Sequence, residues 1–292
     1  MNLLYCGNEG VFDGVFTSAL SVVKRLKTPR SIRIYLYTMS LTKLKSTYRP
    51  ITAEQANVIQ TTLQKYNADT QVFLRDVTEL YETHLRQNAN ENCYCSPYTL
   101  LRLLADLTDA PNKLLYLDAD VMANKDISAL YDIDVTDFCY AAARDYYGKF
   151  LVHPCYINAG VLLLNVKKIR KTGLFERARE LLRSKKMPFA DQSALIRASK
   201  KGDKKLISQR FNDQKRLYKN TVLRHFSRRL FWLPYPHTEN IKQWQIEQVH
   251  KKFGYCQFDD ILEEYRIMKE KRRGKENEKG KNAGGIEKNS AL

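Results

Sequence analysis

Five apolar runs in the N-terminal half alternate between two kinds. Leu3–Cys6, Ile32–Thr38 and Gln71–Leu74 are short and strand-like, whereas Phe16–Leu26 and Ala53–Tyr66 are longer and amphipathic. Short apolar segments separated by helical ones predict strand, helix, strand, helix, strand, the order of a wound α/β sheet. Pro97 opens a helix over Tyr98–Leu107, because a proline in the first turn forfeits no hydrogen bond. Asp109-Ala110-Pro111-Asn112 then turns the chain into a strand over Lys113–Leu117. Cys139–Ala143 and Gly160–Asn165 read as further strands, and Gly173–Ser184 and Asp191–Ser199 as helices.

With 292 residues, 43% of them hydrophobic, the chain can bury a core without disulfide or metal staples, in one large domain or two small ones. Its six cysteines (Cys6, Cys93, Cys95, Cys139, Cys155 and Cys256) are scattered, and the strand-like start has no basic leader, so a cytosolic protein with reduced thiols is expected. Cys93 and Cys95 have no matching His or Cys cluster that would complete a zinc site. No apolar stretch reaches the roughly 20 residues of a bilayer span.

The formal charge of +17 is unevenly spread. Residues 1–165 net −1, 166–229 net +16, 230–265 net −3 and 266–292 net +5. A block of that kind attracts phosphates of nucleic acid, of an anionic membrane or of a small molecule, unless its lysine pairs simply form solvated helix faces. Aromatic residues interleave with it, but no nucleic-acid motif accompanies them, and nucleic acid is not expected as a partner. After about Tyr265 the composition turns to Lys, Glu, Gly and Asn. Helical spacing persists from Asp259 to Lys271 through Ile261, Leu262, Tyr265 and Met268, whereas Gly274 onward has almost nothing to bury, which predicts a disordered tail. The expected division is therefore a folded domain over 1–265 and a basic tail over 266–292.

The strand Lys113–Leu117 ends at Asp118-Ala119-Asp120. Residues i and i+2 of a strand share a face, and the carboxyl end of a strand in an open α/β sheet is where ligands bind. Two carboxylates there make a site for a hard cation that could neutralise a departing diphosphate, although an isolated pair would equally suit a helix-capping turn.

Several motifs, in order over about residues 1–265, resemble glycosyltransferase family 8, the retaining enzymes that include glycogenin and bacterial galactosyl- and glucosyltransferases of surface glycans. Lys113-Leu114-Leu115-Tyr116-Leu117-Asp118-Ala119-Asp120-Val121 is similar to the family's metal motif. Tyr156-Ile157-Asn158-Ala159-Gly160 with the following strand resembles its sugar-binding segment, and Asp191-Gln192-Ser193-Ala194-Leu195 the helix start at its catalytic centre. His225-Phe226-Ser227, followed at a longer distance by Ile241-Lys242-Gln243-Trp244, resembles its histidine motif and downstream Lys-Pro-Trp, with Gln243 in the place of the proline.

The resemblance implies a GT-A-type nucleotide-diphospho-sugar transferase fold, with a Rossmann-like mixed sheet flanked by helices and a helical, basic C-terminal extension. It implies a hexose, galactose or glucose, moved with retention from a UDP-sugar to a saccharide or lipid-linked glycan. Asp118, Asp120 and His225 would bind a divalent ion, expected to be manganese, with magnesium as the alternative. The imidazole favours the transition metal. The nucleotide would lie along Cys6, Gly7, Asn8, Phe12, Asp118, Ala119 and Lys242, with Phe12 as the stacking aromatic. Arg102, Asp145, Asn158 and Gly160 would face the donor sugar, Asp191 would orient it, and Gln192 would stabilise positive charge at the anomeric carbon. A metal-dependent UDP-sugar hydrolase or nucleotidyltransferase would share the metal and nucleotide but not the acceptor. The basic block and the helix near 259–273 would attach the protein electrostatically to an anionic inner membrane leaflet.

Overall fold

The computed structural model describes residues 1–91, 96–187, 189–231, 233 and 235–286, with the side chains of the last helix described as far as residue 274. Cys93 and Cys95 lie outside the described residues. The described cysteines, Cys6, Cys139, Cys155 and Cys256, are free thiols.

The expected alternation is present. Strand β1 (Asn2–Cys6) leads into helix α1 (Phe12–Arg25), β2 (Ile32–Thr38), α2 (Ala53–Gln64), β3 (Thr70–Asp76) and α3 (Thr78–His84). Thr52 and Gln55 close a capping box that starts α2. Helix α1 begins four residues earlier than the apolar run suggests. The reason is Gly14, a poor helix former in isolation. A Cβ there would stand 2.6 Å from the Ala119 carbonyl and 2.7 Å from the Trp244 ring, so the glycine lets the helix lie against the Asp118-Ala119-Asp120 turn.

Pro97–Leu107 is a 3₁₀ helix, with Ser96 capping it. Beyond it come β4 (Lys113–Leu117), β5 (Val121–Ala123), α4 (Ser128–Tyr131), β6 (Tyr140–Ala142), α5 (Gly148–Leu151), β7 (Val161–Asn165), α6 (Val166–Thr172), α7 (Leu174–Ser184) and α8 (Ala190–Ala198). The rest is β8 (Lys204–Leu206), β9 (Leu223–His225), the hairpin β10 (Arg229–Phe231) and β11 (His237–Glu239), α9 (Ile246–Phe253) and α10 (Asp259–Ile286).

Seven strands form one sheet in the order β3-β2-β1-β4-β7-β6-β8. β3, β2, β1 and β4 are parallel, while β7 runs antiparallel to both β4 and β6. Successive side chains of β1 and β4 serve opposite layers. Leu3, Tyr5, Leu115 and Leu117 pack with α1 and α2. Leu4, Cys6, Leu114 and Tyr116 pack with the 3₁₀ helix and α6–α8. This period of two explains why the strands read as continuous apolar runs: both faces are covered.

Two pairings place the site. Leu117 faces Val161, so the end of β4 meets the start of β7 and Asp118 N donates to Gly160 O at 2.8 Å. β5 pairs with β9, Val121 opposite His225, and Phe226 N donates to Asp120 O at 2.8 Å. β9 thus carries His225 itself, at its carboxyl end.

Helix α10 packs on α1. Ile261, Leu262, Tyr265 and Met268 are buried, the Tyr265 ring lies 6.3 Å from Phe16, and Tyr265 OH donates to Asp13 Oδ2 at 2.9 Å. The packed part therefore extends to Met268, three residues beyond the expected boundary at 265, and the backbone is helical to Ile286 where composition suggested an unstructured tail. No helix among the described residues is long and apolar enough to cross a membrane.

Candidate active site

Asp118, Asp120 and His225 converge, each offering a ligand atom within 4.8 Å of the others. His225 Nε2 is 3.1 Å from Asp120 Oδ1 and 3.8 Å from Asp118 Oδ2, and His225 Nδ1 is 3.1 Å from Asn212 Oδ1. Asn212 is wholly buried, so it fixes the imidazole from behind. Lys242 Nζ is ion-paired with Asp120 Oδ2. Burial by itself would raise the Asp120 pKa, but Lys242 and His225 outweigh it and hold the carboxyl far below the usual carboxylate range.

Two observations test whether these groups suit a divalent ion. Two carboxylates with one imidazole form a donor set of oxygen and nitrogen that accepts a first-row transition dication. Space is kept open beside them, since a Cβ on Gly160 would stand 2.3 Å from His225 Cε1 and 2.8 Å from Asp118 Oδ2. The residues fit such an ion. A second cluster, His250, Cys256 and Asp259, is exposed at the corner between α9 and α10, and its His250 is already paired with Asp259 at 2.7 Å.

Arg102 ties the acidic groups together. Only 2% exposed, it donates to Asp118 Oδ1 at 2.9 Å and to the Thr99 and Ala159 carbonyls, and pairs with Asp191 through Nε at 3.3 Å. Its guanidinium lies 3.9 Å from the centre of the Tyr116 ring, and Tyr116 OH also donates to Asp118. Burial works against its charge, yet Tyr116, Asp118 and Asp191 prevail and keep it protonated. Asp191 shows the opposite balance: burial pushes its carboxyl above the ordinary range, with Asp118 adding to that and Arg102 opposing it.

A polar network adjoins this centre. Asn158 donates to Asp145 Oδ2 at 2.9 Å, while its carbonyl oxygen accepts from Gly160 N at 3.0 Å and Asn212 Nδ2 at 2.9 Å. Asp145 in turn accepts from the amides of Tyr147 and Gly148. Gln192 Oε1 accepts from Ala159 N at 3.0 Å, which fixes the amide plane.

A cleft of about 190 Å³ opens over the centre, lined by Cys6, Gly7, Asn8, Val11, Ser96, Tyr98, Thr99, Tyr116, Asp118, Ala119, Asp120, Lys242 and Trp244. Burial pushes the Cys6 thiol well up, so it contributes a neutral wall. Phe12 is a correction. It is 2% exposed, packs 6.2 Å from Phe16 with Arg272 over its ring, and is not on the cleft. As the first residue of α1 it points into the core layer. Among the described residues, the aromatic ones that line the cleft are Tyr98, Tyr116 and Trp244, which sequence reasoning did not single out. Tyr116 and Trp244 were inside the quoted motifs, so adjacency to Asp118 and Lys242 was the available signal. Asn212 carried none, sitting in the basic block.

The glycosyl transferase family 8 model matches residues 2–230. A Haemophilus influenzae protein that carries the name of a glycosyltransferase is 26% identical over 225 residues, 73% of this chain and 63% of the relative. Glycosyltransferase GlyA of Streptococcus pneumoniae is 28% identical over 66% of this chain but only 25% of its own length. The chain thus spans less than two thirds of these curated relatives. Among solved structures, the galactosyltransferase LgtC in complex with donor and acceptor sugar analogues superposes with a TM-score of 0.66 at 19% identity, covering 91% of this chain and 96% of that one. Glycosyltransferase GlyE of S. pneumoniae gives 0.60 at 18% identity, covering 90% and 63%. The shared architecture is the GT-A fold.

Proposed function

This chain belongs to glycosyl transferase family 8, and from that premise we propose that it moves a hexose, galactose or glucose, from a UDP-sugar to a saccharide or lipid-linked glycan with retention at the anomeric carbon. The observation that carries this reading is the convergence of Asp118, Asp120 and His225 at the foot of a cleft whose wall is Cys6-Gly7-Asn8 and whose lip is Lys242. The three side chains would hold a divalent ion, manganese in the first instance, which when bound supplies positive charge to the donor's diphosphate.

The chain's own groups do the rest. Lys242 adds a cation where the phosphates would lie, and the backbone at Gly7 allows the base to approach closely. Asn158 and Asp145 pair with sugar hydroxyls, and Asp191, braced by Arg102, orients the ring. A retaining transfer passes an oxocarbenium-like state, and the Gln192 amide dipole would stabilise the positive charge there without becoming a strong nucleophile. The departing phosphate would take the acceptor's proton. Electrostatic contact of the basic block and the helix 259–273 with an anionic membrane belongs to the same reading, supported by exposed Lys185, Lys186, Lys200 and Lys201.

The test is the stereochemistry of the product. Proton NMR of the isolated glycoside is expected to give the donor's own anomeric configuration. An inverted linkage would exclude this role for Gln192.

A further inference from the structure

Apolar side chains on a protein surface are ordinary when scattered. Here they are not scattered. Among the described residues the six most exposed large hydrophobic side chains are Phe150 (75%), Leu151 (80%), Val152 (62%), Phe189 (58%), Leu233 (84%) and Tyr235 (66%). All six fall in segments bounded by groups of the candidate active site. Residues 150–152 are the end of α5 and the residue after it, in the segment between Asp145 and Asn158, Phe189 is two residues before Asp191, and Leu233 and Tyr235 lie between β10 and β11 of the hairpin inserted between His225 and Lys242. The first two segments are joined in space, because Tyr156 OH and Ser193 Oγ are 2.9 Å apart while Ser193 N bonds Phe189 O.

Each segment also carries cations. Lys149 Nζ stands 4.9 Å over the Phe150 ring, and exposed Lys185 and Lys186 precede Phe189. At the hairpin stem Arg229 and Lys252 lie 5.3 and 5.5 Å from the Phe231 ring, leaving Leu233 and Tyr235 outermost. Phe189 is in addition held at φ +50°, a costly conformation for a bulky residue that its exposure does nothing to relieve. Apolar tips above a cationic collar match the two layers of an anionic bilayer surface, acyl boundary and headgroups.

We propose that the rim of the active site is a lipid-docking surface: the side chains of Phe150, Leu151, Val152, Phe189, Leu233 and Tyr235 enter the interface of an anionic membrane while the lysines and arginines behind them meet its headgroups. The acceptor is then one carried in that membrane. This deepens the proposed function and rests on it for the identity of the site. It also differs from attachment through the basic block and C-terminal helix alone, because insertion of apolar side chains resists salt.

The experiment is flotation of the full chain with phosphatidylcholine vesicles containing about one quarter phosphatidylglycerol, at about 0.1 M and about 1 M salt, against pure phosphatidylcholine. Leu233→Ser/Tyr235→Ser and Phe150→Ser/Leu151→Ser are compared with wild type, with sedimentation velocity alongside and calorimetric UDP binding as the check on folding. Wild type is expected on anionic vesicles, with part of it retained at high salt. Each double variant should partition about tenfold less and release completely at high salt. Variants that float like wild type, wild type that ignores anionic vesicles, or tips that prove to be buried in a dimer would each overturn the proposal. Flotation needs no donor, metal or acceptor, so its failure leaves the donor reading standing, and failure of UDP binding with flotation intact would strike that reading alone.

Discussion

Gly160 is where backbone economy and chemistry meet most closely. Its missing side chain is the space between His225 and Asp118, and a methyl group placed 2.3 Å from the imidazole carbon must push one of these two side chains aside. Displacements of about 1 Å at a reacting centre cost on the order of 10²-fold in rate, so Gly160→Ala is expected to lose about that much kcat/KM. Manganese affinity measured by calorimetry should fall with it, and unchanged affinity would show that the three side chains do not share an ion. A second prediction concerns pH. Asp120 has a folded pKa lowered from 3.8, so its ionised form contributes stability that is present above the unfolded pKa and lost as pH falls towards the folded value. Asp191 and Asp213, whose carboxyls are raised by burial, slope the other way. Urea denaturation of wild type and Asp120→Asn between about pH 5 and pH 2 isolates the difference: the variant should show the shallower acid limb. At this scale the closeness of the motif residues was legible: Asp118, Asp120, His225, Asn158, Asp191 and Gln192 do lie together. Phe12 was misread because its place in sequence, just after the Gly7-Asn8 loop, says nothing about which way the first turn of α1 faces.

Among the elements, the loop 241–245 deserves a test of its own. Gln243, 1% exposed, donates to the Ala119 carbonyl at 2.8 Å and to Thr17 Oγ1 at 3.0 Å, so it pins the Lys242 loop to both α1 and the turn between the two aspartates. Gln243→Leu leaves that part-buried carbonyl and the buried Thr17 hydroxyl short of a donor at a cost of about 1–3 kcal/mol, seen as a lower Tm. Helix α10 supports the domain from outside. Truncation after Phe258 removes Ile261, Leu262, Tyr265 and Met268 from the core and should destabilise it by several kcal/mol at about 1.5–3 kcal/mol each. Truncation after Arg273 removes none of these and should leave Tm nearly unchanged. If both truncations behaved alike, α10 would not be part of the domain. Strands and helices were readable here because burial on two faces or one stripe writes its own period. The direction of β7 was not, since an apolar run is the same read either way. Nor was the hairpin β10–β11, whose stacked Arg229, Phe231 and His237 follow no simple alternation of polar and apolar residues.

For the molecule as a whole, the sheet acts as a convergence device: chain ends of β1, β4 and β7, far apart in sequence, reach one edge, and β9 and the 241–245 loop close over it. Net charge is arranged on the same plan, with a nearly neutral N-terminal half carrying the cleft and a +16 block following it. The central claim is that this edge is a metal-dependent UDP-hexose site. It is tested most directly by following UDP release from a panel of UDP-sugars, with and without manganese, by wild type and by Asp120→Asn. The account predicts release from a UDP-hexose by wild type only when the metal is present, and none by the variant. Equal release by both proteins, or no release and no UDP binding by wild type, would contradict it.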